Sequence, residues 1–105
     1  MIVYEVNLAI DGDIADAYRA WLEAHVAQIL ALPGFTGARI LDVLEPASQP
    51  REVALSVQYT LRDRASLDAY LRDHAPRMRG DGDARFGGRF RASRRTLGVV
   101  REFRG

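Results

Sequence analysis

VALSVQYTL, residues 53–61, is the stretch on which the fold turns. Val53, Leu55, Val57, Tyr59 and Leu61 alternate with Ala54, Ser56, Gln58 and Thr60, the period-2 signature of a β-strand with one apolar and one bland face. The apolar set predicts a helix layer on one side of a sheet. The bland set predicts a second side that no helix covers.

Upstream, PASQP at 46–50 is a loop, and Phe35 to Glu45 reads as a strand, so the two strands form an antiparallel hairpin. Further back, Ile2, Tyr4, Val6, Leu8 and Ile10 alternate with Val3, Glu5, Asn7 and Ala9, which gives another strand. DGD at 11–13 supplies a turn, with Asp13 as the expected N-cap of a helix. From Ile14 the period changes to that of a helix. Ile14, Tyr18, Trp21, Leu22, His25, Ile29 and Leu32 share one face, and Pro33-Gly34 stops the run.

Downstream, a helix is expected over Arg64 to His74, with Leu67, Tyr70, Leu71 and His74 on one face. Pro76 biases Ala75 away from helical angles and starts a second, short helical segment. Gly80 and Gly82 weaken that segment and Gly87-Gly88 end it; Phe90 to Val100 is the last strand. The order βαββαβ specifies an α+β, ferredoxin-like sandwich: a four-stranded antiparallel sheet with helices on one face. The 105 residues are expected to form one domain with one core.

Composition narrows the chemistry. There is no cysteine, which excludes disulfides, thiolate catalysis and Cys-based metal sites. A cytoplasmic protein is therefore the expectation. The apolar N-terminal run lacks a basic n-region and contains Glu5 and Asn7, so it reads as a strand; no stretch approaches the ~20 apolar residues that span a bilayer. All fifteen basic residues are arginine. Residues 1–76 hold 6 Arg against 11 acids and residues 77–105 hold 9 against 3, so a net charge of +1 conceals a basic C-terminal third.

The uncovered sheet face would carry Val3, Glu5, Asn7, Ala9, Ala54, Ser56, Gln58 and Thr60. A two-layer domain often closes such a face against a copy of itself, so a homodimer is expected; a solvated monomer is the competing reading. Sheets that bind RNA present stacking aromatics on that face. Here Tyr4 and Tyr59 belong to the apolar side, and exposing Val53, Leu55 and Val57 with them would cost several kcal/mol at about 25 cal/mol per Å². No nucleic-acid partner is expected.

SVQYT at 56–60, HAPR at 74–77 and RFGGRF at 85–90, with Trp21 and His25 on the first helix, resemble an uncharacterised bacterial family, domain of unknown function 4286, across essentially the whole chain. The resemblance implies a ferredoxin-like domain of the dimeric α/β-barrel type, with two sheets packed face to face, and no established activity. Members usually carry a second histidine before RFGG, where this chain has MRGDGDA with Gly82 near that place. Haem-degrading proteins of that superfamily look similar in layout: an Asn on the first strand, a Trp near the end of the third and a His on the second helix. Asn7 and His74 match two of these, whereas the third strand carries Gln58 and Tyr59 and no Trp.

Two histidines stand out. His25 lies in the apolar stripe, either as a core imidazole bonded to Gln28, Tyr4 or Tyr59, or as an acid, base or ligand contact in a pocket. His74, at a helix C-terminus before Pro76, is either a capping residue or the mouth of that pocket. They lie on different helices with no metal-ligand spacing, so no metal and no cofactor is expected. Arg85, Arg89, Arg91 and Arg95 are expected to form surface pairs, with Arg77 or Arg85 as the alternative holders of a ligand carboxylate.

The function read from these residues is small-molecule binding or sensing, with Tyr4, Trp21, His25, Tyr59 and His74 lining a pocket between helices and sheet. The alternatives are a cofactor-independent monooxygenase, isomerase or lyase of the dimeric barrel superfamily, or an interaction module with no pocket. A closed core with Tyr4, Trp21 and His25 fully packed would favour the module, and an empty cavity of ~300 Å³ or more the first two.

Overall fold

The computed structural model describes residues 1–105. The elements are β1 (Ile2–Asp11), α1 (Ala15–Leu30), β2 (Phe35–Asp42), β3 (Glu52–Leu61), α2 (Arg64–Asp73), α3 (Ala75–Phe86) and β4 (Phe90–Gly98). The sheet order is β2-β3-β1-β4 and every neighbouring pair is antiparallel. This is the ferredoxin-like βαββαβ arrangement.

Strand parity places the core. Tyr4, Leu8 and Ile10 of β1 and Leu55, Val57, Tyr59 and Leu61 of β3 are buried against Tyr18, Leu22, Val26 and Ile29 of α1, Leu67 and Tyr70 of α2, and Met78 of α3. The register pairs Tyr4 with Tyr59 and Val6 with Val57, so both central strands turn their apolar residues to the same side.

Four local expectations need correction. Asp13 does not cap α1; it sits in a 3-10 turn over Gly12–Ile14 and pairs with Arg89, while Ile14 takes the N-cap place. The strands β2 and β4 end at Asp42 and Gly98, short of Glu45 and Val100. The second segment is a full helix of 12 residues that begins at Ala75, so Ala75 is helical after all and Pro76 sits in the first turn, where its missing N–H costs nothing; neither glycine outweighs the burial of Ala75 and Met78. Finally, the buried stripe of α1 is Ala15, Tyr18, Leu22, Val26 and Ile29. At about 100° per residue, His25 and Trp21 lie roughly 60° and 100° to one side of its centre. They flank the stripe and turn toward α3.

Two short devices set the helices. Asp63 caps α2, its Oδ1 accepting from the Ser66 backbone N–H at 2.8 Å. Gly34, after α1, has φ +89 and lies where a Cβ would come 2.4 Å from Ser66 Cβ. Only glycine lets this turn press onto the start of α2.

Candidate functional site

Between the sheet and the helices α1 and α3 is a cavity of about 60 Å³. Its walls are mostly apolar: Val6, Leu8 and Val57 from the sheet, Tyr18, Trp21, Leu22 and Ile29 from α1, Met78 and Gly82 from α3, and Phe90 from β4. Tyr4, Tyr59 and Tyr70 add hydroxyls, and Arg79 and Arg94 reach it from exposed positions on α3 and β4. Arg79 Nη2 donates to Tyr4 Oη at 2.9 Å. No buried polar side-chain atom is without a hydrogen-bond partner. The hydroxyls of Tyr18, Tyr59 and Tyr70, which bond to no protein group, therefore keep access to solvent-sized space.

Burial raises the Tyr18 and Tyr70 phenols to about 12 and pushes Tyr59 higher still, each because the phenolate loses its water. All three are hydrogen-bond donors at any physiological pH.

Trp21 forms the outer wall with His25, whose ring stacks on the indole at a centroid distance of 4.4 Å and an interplanar angle of 23°. His25 is half-buried and makes no hydrogen bond to Gln28, Tyr4 or Tyr59. Loss of water lowers its pKa below the ordinary 6.5, and Asp81 of α3 opposes that shift. Trp21 fits because Gly82 lies beneath it: a Cβ there would stand 3.1 Å from Trp21 Cη2. Outside this wall, Trp21, His25, Gln28, Asp81 and Arg85 line an open groove between α1 and α3.

Of the residues singled out in the sequence, Tyr4, Trp21, His25 and Tyr59 meet at the cavity. His74, Arg77 and Arg85 do not line it. His74 is the junction residue between α2 and α3, with Tyr70 at 6.5 Å between ring centroids and Arg77 Nη2 donating to its Nδ1 at 3.2 Å. Pro76 lies in the first turn of α3, and Arg77 beside it is exposed. Arg89, Arg91 and Arg95 form ion pairs with Asp11, Asp13, Glu52 and Glu5, and Arg85 forms none. The cavity arginines, Arg79 and Arg94, were not distinguished in the sequence. The available signal was parity: Arg94 shares the face of Phe90, and Arg79 follows buried Met78.

The open sheet face carries its own arrangement. Arg39, Gln58, Glu5 and Arg95 occupy one cross-strand row through all four strands. Glu5, only 5% exposed, accepts from Arg95 Nε at 2.8 Å, Asn7 Nδ2 at 2.9 Å and Gln58 Nε2 at 3.2 Å. Arg39 donates twice to Gln58 Oε1, at 2.9 and 3.1 Å. The bond from Asn7, followed by those from Arg95 and Gln58, holds the Glu5 carboxyl below its ordinary 4.5 against the opposing effect of burial.

No group of three or more His, Asp or Glu side chains is placed so that it could hold a metal ion. No helix is long and apolar enough to cross a membrane.

Solved structures share the fold at low identity. A mutant of MhuD, described with two manganese protoporphyrin IX molecules bound per active site, superposes with a TM-score of 0.74 at 14% identity, covering 100% of both chains. A protein from Nitrosomonas europaea, provisionally described as an antibiotic biosynthesis monooxygenase, has a TM-score of 0.65 at 16% identity over 96% of this chain and 100% of its own. A dimeric ferredoxin-like protein of unknown function from Jannaschia sp. CCS1 has 0.62 at 19% identity over 94% and 100%. No curated protein matches.

The haem-degrading layout does not assemble here. Asn7 is on the open face bonded to Glu5, and His74 lies outside the cavity. The family model described as Domain of unknown function (DUF4286) matches residues 1–100, and the chain belongs to that family.

Proposed function

We propose that the protein is a homodimeric small-molecule binding domain, its ligand taken between the sheet and helices α1 and α3 of each protomer. The observation that carries this reading is the lining and not the size of the cavity: apolar walls meet unbonded tyrosine hydroxyls and a Trp21–His25 pair that is only half-buried, so the core is not closed there. Its volume is below the ~300 Å³ typical of ligand sites. A ligand larger than a few waters therefore requires α3 to shift outward. That helix is the element suited to yield, since Gly80 and Gly82 together weaken it by about 2 kcal/mol relative to alanine.

The dimer rests on the open sheet face, where Val3, Leu41 and Leu97 stay partly exposed around the Glu5 row, and on the dimeric state stated for the Jannaschia protein. Native mass spectrometry of the protein purified from its own host tests both halves. A dimer mass with an adduct released on denaturation is expected; a bare monomer would overturn the reading.

The enzymatic alternative has one supporting observation. His25 stands at the cavity wall with its neutral form favoured by burial, as a general base requires. With a ligand in hand, a His25→Ala variant that keeps affinity and loses turnover supports catalysis, and equal loss of both supports binding alone.

A further inference from the structure

The cavity's polar groups are unbalanced in a way that names the ligand. Eight of the fifteen arginines have no carboxylate within 4 Å, and among these only Arg79 and Arg94 reach the cavity, from α3 and β4. Arg79 spends one donor on Tyr4 Oη, which leaves the Tyr4 hydroxyl proton free to donate. Arg94 acts on Tyr18, Tyr59 and Tyr70 at once, favouring the charged form of each phenol, and Arg79 does so at Tyr70. Two guanidiniums and a ring of phenol donors therefore face one apolar space, and no carboxylate lines it. Such a set is matched by an anion with two oxygen acceptors. Beyond the guanidiniums, the walls offer aromatic faces from Tyr18, Trp21 and Phe90.

Resting on the binding reading above, the geometry points to a small aromatic carboxylate as the ligand class: its ring lies against Trp21 and its carboxylate is held between Arg79 and Arg94, with the Tyr4 hydroxyl as a further donor. Either ring enters only with the outward shift of α3 described above, and a neutral aromatic of the same shape then leaves both guanidiniums without an acceptor. The charge is thus the element that selects.

Trp21 is the only tryptophan, so its fluorescence reports occupancy of this wall directly. The probes are benzoate and its neutral isostere benzamide, titrated into the full-length protein with excitation at 295 nm. Benzoate is expected to bind about tenfold more tightly or better, with the preference shrinking as salt is raised. Arg79→Gln and Arg94→Gln should each reduce that preference severalfold and the double variant should abolish it, while Arg85→Gln, in the outer groove, should leave it intact. Circular dichroism melts confirm that each variant is folded, which these exposed positions favour.

Equal affinity for the two probes overturns the carboxylate assignment and leaves the binding reading standing. Binding of neither overturns both. A benzoate preference that survives the Arg79→Gln/Arg94→Gln double variant, or is lost in Arg85→Gln alone, places the anion elsewhere and overturns the assignment.

Discussion

The two faces of the sheet are built from the same strands and differ in almost everything else. Leu55 and Ser56 are consecutive, yet Leu55 packs in a core of leucines and tyrosines while Ser56 belongs to the polar side. On the helix face, burial of apolar area is what holds the layers together, and the polar atoms that enter are phenols and the tips of two arginines. On the open face a carboxylate is kept charged by three donors at 5% exposure. The lesson is that the pleat lets one sheet perform two tasks, with cohesion on one side and a chemically specific surface on the other.

The sharpest way to break this contrast is a pair of adjacent truncations. Leu55→Ala should cost about 2–5 kcal/mol in urea unfolding, because it removes a fully buried side chain from close packing. Ser56 is buried too, at 8% exposure, but its hydroxyl bonds to no other group, so Ser56→Ala removes a single oxygen and should cost about 1 kcal/mol or less. Comparable losses at the two positions would show that the faces are not energetically distinct.

The next effect is Glu5→Gln, which removes the charge from the open-face row and should cost about 1.5–3 kcal/mol at neutral pH, the range for hydrogen bonds to a charged group. Its sign with pH is fixed. The folded carboxyl titrates below its ordinary 4.5, so its contribution is complete above that value and is lost as pH falls through the folded pKa. The gap between wild type and Glu5→Gln should therefore close below about pH 4.5 in paired melts. A gap that persists in acid would mean the amide fails for shape and not for charge.

Strand parity made the sheet legible in the sequence. The alternation at 53–61 and 2–10 is strict, each side chain has two possible sides, and the burial of Tyr4, Leu55 and Tyr59 follows. Helical position was less legible, since a stripe drawn through Trp21 and His25 differs by only a fraction of a turn from one drawn through Val26, and packing chose the second. The arginines were least legible. Fifteen identical residues carry no mark of which will find a carboxylate, because pairing depends on register across strands distant in sequence, as between Arg95 and Glu5. The row through Arg39, Gln58, Glu5 and Arg95 was invisible for the same reason.

Smaller in effect, Gly80→Ala sharpens the role assigned to α3. A Cβ at Gly80 meets nothing within 4 Å, so the change should stabilise the protein by up to about 1 kcal/mol through helix propensity alone. It should also slow or weaken entry of any ligand that needs α3 to move. Gly82→Ala has the same propensity gain but presses on Trp21, which should shift the fluorescence maximum. Identical spectra and stabilities for the two variants would show that Gly82 is not the seat of the indole.

The smallest expected effect separates the two faces by mechanism. Glu5 and His25 both titrate below their ordinary values, but Glu5 does so because donors favour its charged form and His25 because burial disfavours its charged form. For His25 the folded chain resists a proton that the unfolded chain accepts, so this contribution is complete above 6.5 and is lost as pH falls from there through the folded pKa. Asp81 is the one charged group that opposes the shift, from across the groove on α3. Asp81→Asn should therefore lower the His25 pKa further, carry the loss of stability to lower pH, and leave the titration of Glu5 where it was. Proton NMR titration of the His25 ring in the two proteins measures this directly. An unchanged His25 pKa would mean that α3 does not hold Asp81 over the imidazole, and would remove His25 from the wall shared by the cavity and the outer groove.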